Sequence, residues 1–517
     1  MGILAWSQLK FRPARLSALL VGLLLATSAF TVLTAASRTS QLEATGTVTN
    51  HFVPAYEILV RPDGARTKLE SRTDTVQPNF LSGIYGGITM AQYRQISRIP
   101  GVAVAAPIAM VGYALLYAPI TYKVAPSRFA EPGRELFRVS TTWSSDAGTS
   151  HVTQPGSYLY VTPNKLAFDS SSGAMNEVLP SRAQVGVCPF VPLTIQQNPF
   201  GVAAQSNVEC WSKSNGVPPP FATGAPEPAI AVDWVVPVLI AAIDPEAEAK
   251  LDGLNHALTS GKYLGEGDGD TALRNGTSTF PVLASSNVGM DETAVTELQL
   301  MPSPDSPQVM NLSWLNKENP ETGRILTTYK TTANQAYQAL LRYMDNKEGL
   351  PSTLPGYWSV GPVTYRQSAG GVLIPKEVKN AASVWYTAGF NDVSLDDEDN
   401  QYRTVESHTH GSNQYSMSAG RIATPRLIGT FNPDKIEAFD QLSQVPLGAY
   451  LPIAASPDTE TTKQALHGSD LEPNENLGGY VGQPVDLVTT LSALPALQNS
   501  GHYSGDLHTS DPISVIR

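Results

Sequence analysis

Positions 16 to 37 of the chain carry no charged residue, a run of 22. Wound as a helix rising ~1.5 Å per residue, the run spans roughly 33 Å, close to a hydrocarbon core of ~30 Å. Leu19, Leu20, Val21, Leu23, Leu24 and Leu25 are followed by Phe30, Val32 and Leu33 without a break. Lys10, Arg12 and Arg15 stand just before it, and only Arg38 lies close behind. By the positive-inside rule the N-terminus stays in the cytoplasm and everything past residue 38 lies outside. The alternative is a signal peptide cut after Thr34-Ala35-Ala36, but signal h-regions usually run only ~7–15 apolar residues. The sequence therefore predicts a plasma-membrane protein with one N-terminal transmembrane helix in contact with lipid and the bulk of the chain extracytoplasmic.

Composition constrains the fold of the chain beyond that helix. Charged residues make up 15% of the chain, against a usual ~25%, and Gly (41) and Pro (40) are plentiful. A loop-rich folded protein of the α+β class is expected, with two or three domains over 517 residues. The formal net charge of −12 argues against a nucleic-acid partner, because phosphate binding needs a basic footprint. No second apolar run past residue 40 reaches spanning length. Segments such as SNGVPPPFATGAPEP (214–228) suggest seams near 225 and 350. The expected order is a cytoplasmic N-terminus (1–15), the membrane helix (16–37), a first outer part with a disulfide loop (38–225), a second part of the core (226–350) and an α/β extension (351–517).

Two cysteines occur, Cys188 and Cys210, both beyond the membrane run. Outside the cytoplasm such a pair is most simply a disulfide pinning a long loop. Loop-closure entropy for a ring of this size is worth about 3 kcal/mol.

Local patterns place the elements. AYEILVRP (55–62) reads as a strand closed by Pro62-Asp63-Gly64. Thr89 is an N-cap for a short helix with Met90, Tyr93 and Ile96 on one side, stopped by Pro100-Gly101. VAVAAPIAMVGYALL comes next as a strand-like run. In VVPVLIAAIDPEAEAKLDGLNHAL (235–258) a buried strand leads into Asp244 as N-cap, Pro245 at the first helical position, and Glu246 and Glu248 at the positive end of the helix dipole. A related corner returns at 425–442 with Asn432-Pro433 in the capping role. FPVLASSNVG (280–289) reads as strand and turn, and Thr332 to Asp345 as a helix.

Motifs that would carry catalysis fail on spacing. Glu406, His408 and His410 alternate with period two and would face one way on a strand, yet lack the His-x-x-x-His spacing of helical zinc sites. Asp396, Asp397, Glu398 and Asp399, and likewise Glu266, Asp268 and Asp270, do not fit the twelve-residue calcium loop. GLNHALTSGKY (253–263) is not a phosphate loop, because its glycines are too far apart and Tyr263 stands where Ser or Thr would hold magnesium. A Gly-x-Ser-x-Gly elbow is absent. The residues thus name no catalytic, cofactor or metal site, and the chain does not read as an enzyme.

Several longer stretches carry a family likeness. Phe11-Arg12-Pro13-Ala14-Arg15 with the anchor, AYEILVRPDGARTKLE, NFLSGIYGGITMAQYRQISRIPGVAVAAPIAMVGY, LIAAIDPEAEAKLDGLNHALTSGKYL and FPVLASS resemble FtsX/MacB-type ABC transporter permeases, in the actinobacterial form with a large outer region. LIGTFNP and VPLGAYLP are later echoes. The resemblance implies a first transmembrane helix, then a mixed α/β outer region like the MacB periplasmic core domain, then further membrane helices beyond DPISVIR. It also implies a separate ABC ATPase subunit as partner, a homodimer or paired permease as assembly, and export or extracytoplasmic signalling as function. No catalytic residues come with it. A secreted or membrane-tethered binding protein without an ATPase is the alternative, and an extracytoplasmic metal-dependent hydrolase using Glu406, His408 and His410 a third.

Overall fold

The computed structural model describes residues 21–22, 24–30, 56–77, 80–81, 83–129, 131–153, 157–172, 174–189, 208–216, 229–272, 278–302, 305–307, 323–345, 364–368, 373–376, 378–379, 423–436, 448–475, 482–499 and 510–517. Met1–Ala55 and Glu437–Val445 group as one unit, and Tyr56–Ile436 with Pro446–Arg517 as another. In the first, residues 21, 22 and 24–30 are helical, with Val21, Leu24, Leu25 and Phe30 exposed. The rest of the expected membrane run, with Lys10, Arg12 and Arg15, lies outside the described residues. Among the described residues no helix is long and apolar enough to cross a membrane.

The second unit is mixed α/β and mostly strand. It begins with helices α1 (Lys68–Thr73) and α2 (Met90–Ile96) and strand β1 (Pro107–Lys123). Next come β2 (Glu135–Ser145), β3 (Ser150–Thr153) and β4 (Ser157–Thr162), then β5 (Lys165–Asp169), β6 (Ala174–Val178), β7 (Gln184–Pro189) and β8 (Val208–Ser212). Strand β9 (Ala229–Ile243) leads through α3 (Pro245–Asp252) to β10 (Leu258–Gly261), β11 (Thr271–Ala272), β12 (Ser278–Ser285), β13 (Glu292–Met301) and β14 (Arg324–Thr332). After α4 (Ala333–Asp345) come β15 (Thr364–Gln367), β16 (Leu373–Lys376), β17 (Val378–Lys379) and β18 (Ala423–Phe431). The unit ends with α5 (Glu460–Ala465), β19 (Leu487–Thr490), α6 (Leu494–Asn499) and β20 (Val515–Ile516).

Two open sheets dominate. The larger runs β10-β18-β12-β19-β9-β1-β20, with β11 beside β12. It draws strands from all three stretches 38–225, 226–350 and 351–517. The second runs β14-β13-β2-β3-β17, with β4 pairing both β2 and β8. Burial reflects the partners. Strands β2 and β13 alternate buried and half-buried residues, as sheets with one covered face do. Strands β12 and β19 are buried at every residue because they lie inside the larger sheet, each with one parallel neighbour.

Helix α4 covers this sheet. Thr332 and Gln335 form a reciprocal capping box at its start, and Ala336, Tyr337, Leu340, Leu341 and Met344 form its buried side. The Tyr337 hydroxyl donates to the Ser285 carbonyl at 3.0 Å. Trp143 of β2 meets Trp234 of β9 edge-on, ring centres 4.6 Å apart, so aromatic contact joins the two sheets in one core.

Most expected elements form where the capping residues place them. Thr89 caps α2, and Asp244 caps α3, which stops at Gly253 in the left-handed conformation. The stretch 55–62 differs: its described residues, 56–62, form no strand of their own and join the sheet through the bridge from Val60 to Ile516. The corner after β18 holds only one 3-10 turn, Pro433–Lys435, capped by Asn432. Strand β18 also runs opposite to β9 in the same sheet, so the two corners lie at opposite sheet ends.

Strands β10 and β18 approach through glycine. Gly261 has φ +73°, and a Cβ there would strike the Ile428 carbonyl; one on Gly429 would lie 2.8 Å from the Ser260 carbonyl. We expect Gly261→Ala to cost about 2–4 kcal/mol, from left-handed strain and overpacking together. Gly148→Ala, at φ +79° in open space, carries the strain alone, roughly 1–2 kcal/mol. Comparing the two unfolding midpoints checks this; equal losses would mean that β10 does not need the close approach.

Candidate functional site

A densely built polar region lies where the start and the end of the second unit meet. Its base is α3. Asp244 accepts from the backbone N–H of Glu246 (3.1 Å) and Ala247 (3.0 Å), and the Tyr93 hydroxyl of α2 donates to its other oxygen at 2.9 Å. Tyr263 donates to the Pro245 carbonyl at 2.9 Å. One cap residue thus anchors two helices.

Glu248 and Asp252 sit one turn apart on the same helix, both buried. Between like charges at this spacing a helix gains nothing; Arg517 supplies what is missing. Its guanidinium donates to Glu248 Oε1 and lies 3.4 Å from Asp252 Oδ2. Tyr450 donates to the same Glu248 oxygen at 2.6 Å. The guanidinium carbon stands 5.9 Å from the Tyr450 ring centre and 6.0 Å from that of Tyr56, within cation–π range.

The electrostatics are set by burial. Asp252 is pushed well above the ordinary carboxylate range, first by loss of water and next by negative Glu248, with Arg517 opposing. Burial alone would lower the Arg517 pKa, but Glu248 and Asp252 outweigh it and raise it. The Tyr56 hydroxyl is pushed up to about 12, again mainly by burial. Two acids against one guanidinium in a low-dielectric site are tolerated only with hydrogen bonds to the charged groups, which Arg517 and Tyr450 supply to Glu248.

Backbone pairing fixes the arginine. Ala106 and Arg517 exchange both hydrogen bonds, at 2.9 and 3.0 Å, as do Val60 and Ile516. Ser514 Oγ accepts from the N–H of Gly86 and of Met110, each at 3.0 Å. Five separate segments therefore converge on residues 513–517. Chemically this is a clamp: Arg517 and Tyr450 both donate to Glu248, and Arg517 lies beside Asp252.

The remaining candidates fall elsewhere. Cys188 at the end of β7 and Cys210 on β8 form a disulfide, Cα atoms 6.1 Å apart. It ties the β5–β7 meander to the second sheet, beside buried Tyr160, Leu166 and Met175. Glu177 in the same cluster would be raised by burial, but hydrogen bonds from Arg134, Tyr160 and Asn164 lower it overall. In GEGDGD, Asp268 accepts from the Gly265 N–H at 2.9 Å, and Thr490 and Ser492 donate to the carbonyls of Asp268 and Glu266; this acidic turn is tied down by its own backbone. Glu406, His408 and His410, and Asp396, Asp397, Glu398 and Asp399, lie outside the described residues. Among the described residues, no three of His, Cys, Asp and Glu are placed to hold a metal ion.

No local sequence pattern marks Arg517 or Tyr450 as members of this cluster. The one signal was the pair of like charges, Glu248 and Asp252, on a single helix face.

Removing one partner from a buried ion cluster leaves charge unpaired, at about 3–5 kcal/mol. We expect that loss for Arg517→Met alone. The triple variant Arg517→Met, Glu248→Leu, Asp252→Leu is expected to recover most of it. Urea unfolding of the variants decides; a small loss for Arg517→Met would mean that the guanidinium is not what holds this corner.

Comparison of the chain with known protein families, with curated proteins and with solved structures finds no match.

Proposed function

We propose that this chain is a membrane-anchored permease subunit of an FtsX/MacB-like ABC transporter, whose large outer unit couples ATP hydrolysis by a separate subunit to export or extracytoplasmic signalling. The observation that carries this reading is the antiparallel pairing of Val60 with Ile516. An outer domain set between membrane segments has to receive the chain and return it at one place, in opposite directions. The antiparallel pairing of the segment after the expected anchor with residues 513–517, beside the Arg517 cluster, is what such an arrangement would use.

Two further features support it. Several of the stretches that resemble the family touch one another: α2 meets the α3 cap through Tyr93, Tyr450 of VPLGAYLP meets Glu248 of DPEAEAKLD, and FPVLASS lies in β12 beside the LIGTFNP strand β18. The Cys188–Cys210 disulfide suits an oxidising, extracytoplasmic compartment.

Affinity purification of the full chain from its native membrane tests the proposal. The expected outcome is an uncleaved N-terminus retaining residues 16–37 and a co-purifying ATPase with a phosphate loop. An N-terminus beginning after Ala36 and no ATPase would overturn it, in favour of the secreted or tethered binding protein.

A further inference from the structure

Residues 75–130 contain no Asp or Glu, in a chain that carries 46 of them and a net charge of −12. The basic residues of this stretch are Arg94, Arg98, Lys123 and Arg128. An exposed run, residues 97–101, follows directly on α2. Its shape is set by backbone bonds: Ser97, Arg98, Ile99 and Val102 donate to the carbonyls of Tyr93, Gln95, Ile96 and Ile99 at 3.0, 3.2, 3.0 and 3.0 Å. Gly101, at φ +98° with open space around it, lets the chain turn back there.

The two sides of α2 meet different surroundings. Met90, Tyr93 and Ile96, with Val102 after the turn, pack on Ile88, Ala105, Ile513 and Ile516, where Val60 also packs. Acids lie only toward this inner side, where Asp244 accepts from Tyr93 and Glu246 pairs with Lys250 at 2.6 Å. The outer side carries Arg94, Gln95, Arg98 and Ile99, all exposed. Arg94 and Arg98 stand one turn apart, and among the described residues neither guanidinium meets a carboxylate. Ile99 is 50% exposed, although Ile96 and Val102, its partners in the turn, pack inward. One exposed isoleucine is ordinary. Beside two unpaired arginines on a rigid turn it gives the cation-and-apolar pairing of interfacial segments.

We propose that the outer side of α2 docks on the surface of an anionic bilayer, with Arg94 and Arg98 among the lipid phosphates and Ile99 at the headgroup boundary. Charge selects this occupant. A chain of net charge −12 is repelled by an anionic surface over most of its area, so an acid-free corner is what can approach. Each guanidinium offers a planar fork of donors that fits phosphate oxygens two at a time. The proposal rests on the membrane anchoring of the chain. Residues 39–55 join Arg38 to Tyr56, so the second unit starts within about 60 Å of chain from the expected helix. A tethered surface is met at high effective concentration, so two arginines and one isoleucine suffice. Each arginine near such a surface favours binding about fivefold, and the pair on the order of thirtyfold.

Gln95→Cys places a reporter beside Arg98 and Ile99, since Cys188 and Cys210 are paired with each other. The full chain, labelled there with a polarity-sensitive fluorophore, is reconstituted in vesicles of phosphatidylcholine, alone or mixed equally with phosphatidylglycerol. In the mixed vesicles only, emission from residue 95 is expected to shift to the blue and to be quenched by nitroxide lipids. A label at Thr328→Cys, exposed on β14, should stay in water in both. Arg94→Gln with Arg98→Gln should lower the docked-to-free ratio on the order of thirtyfold. Salt at ~1 M, where the Debye length is ~3 Å, should also release the label. Emission typical of water in both vesicles would overturn the docking, as would equal lipid contact in both. A blue shift in detergent that grows with protein concentration would overturn it in favour of a second copy. Flotation with phosphatidylcholine vesicles reads the anchor separately. A chain that floats without docking sinks this inference alone; one that does not float sinks the anchored permease and the tether with it.

Discussion

The pairing of β1 with β9 is the constraint on which the second unit depends. It runs from Ile108 opposite Ile243 to Lys123 opposite Ala229, with one irregularity between Met110 and Gly112. Only its first part is used by β19 and β20, which pair with Ile240–Ile243 and with Pro107 and Ile108. The far part runs on, and Tyr122, Val124 and Ile230 pack there with Phe137, Val139 and Leu298 of the second sheet. One ribbon thus serves two cores. Because strands of this length twist along their course, the two ends of the ribbon face different partners without a break in the ladder.

That ribbon positions the clamp. β9 ends in the Asp244 cap, so α3 leaves the sheet at a set angle and carries Glu248 and Asp252 back toward β1. β20 adds to the free side of β1, which brings Arg517 over the same helix. The buried charges therefore sit where strand order puts them. Burial of the triad is no net gain in itself, since desolvation offsets much of the Coulomb attraction. Its value is selectivity: only one register of β20 places a guanidinium between the two acids.

The clamp sets one cation against two acids. Burial and Glu248 raise Asp252 while Arg517 opposes them, so the cluster is held by hydrogen bonds as much as by charge balance.

How much of this could be read from the chain depends on range. The caps at Thr89 and Asp244, the buried side of α4 and the cysteine pair were legible, because each rests on residues within a few positions of one another or on a scarce chemistry. The stretch 55–62 has the pattern of a strand, yet its described residues, 56–62, form none, because their partner is one residue far away, Ile516. The same limit hid Arg517, which meets Glu248 across a separation of 269 residues, and Trp234, which meets Glu475 across 241. Capping, turn chemistry and helix faces are local free energies, so the sequence alone determined them. Strand order, and with it which buried carboxyl finds an arginine, is settled by long-range ladder and core contacts, and only the tertiary structure decided those.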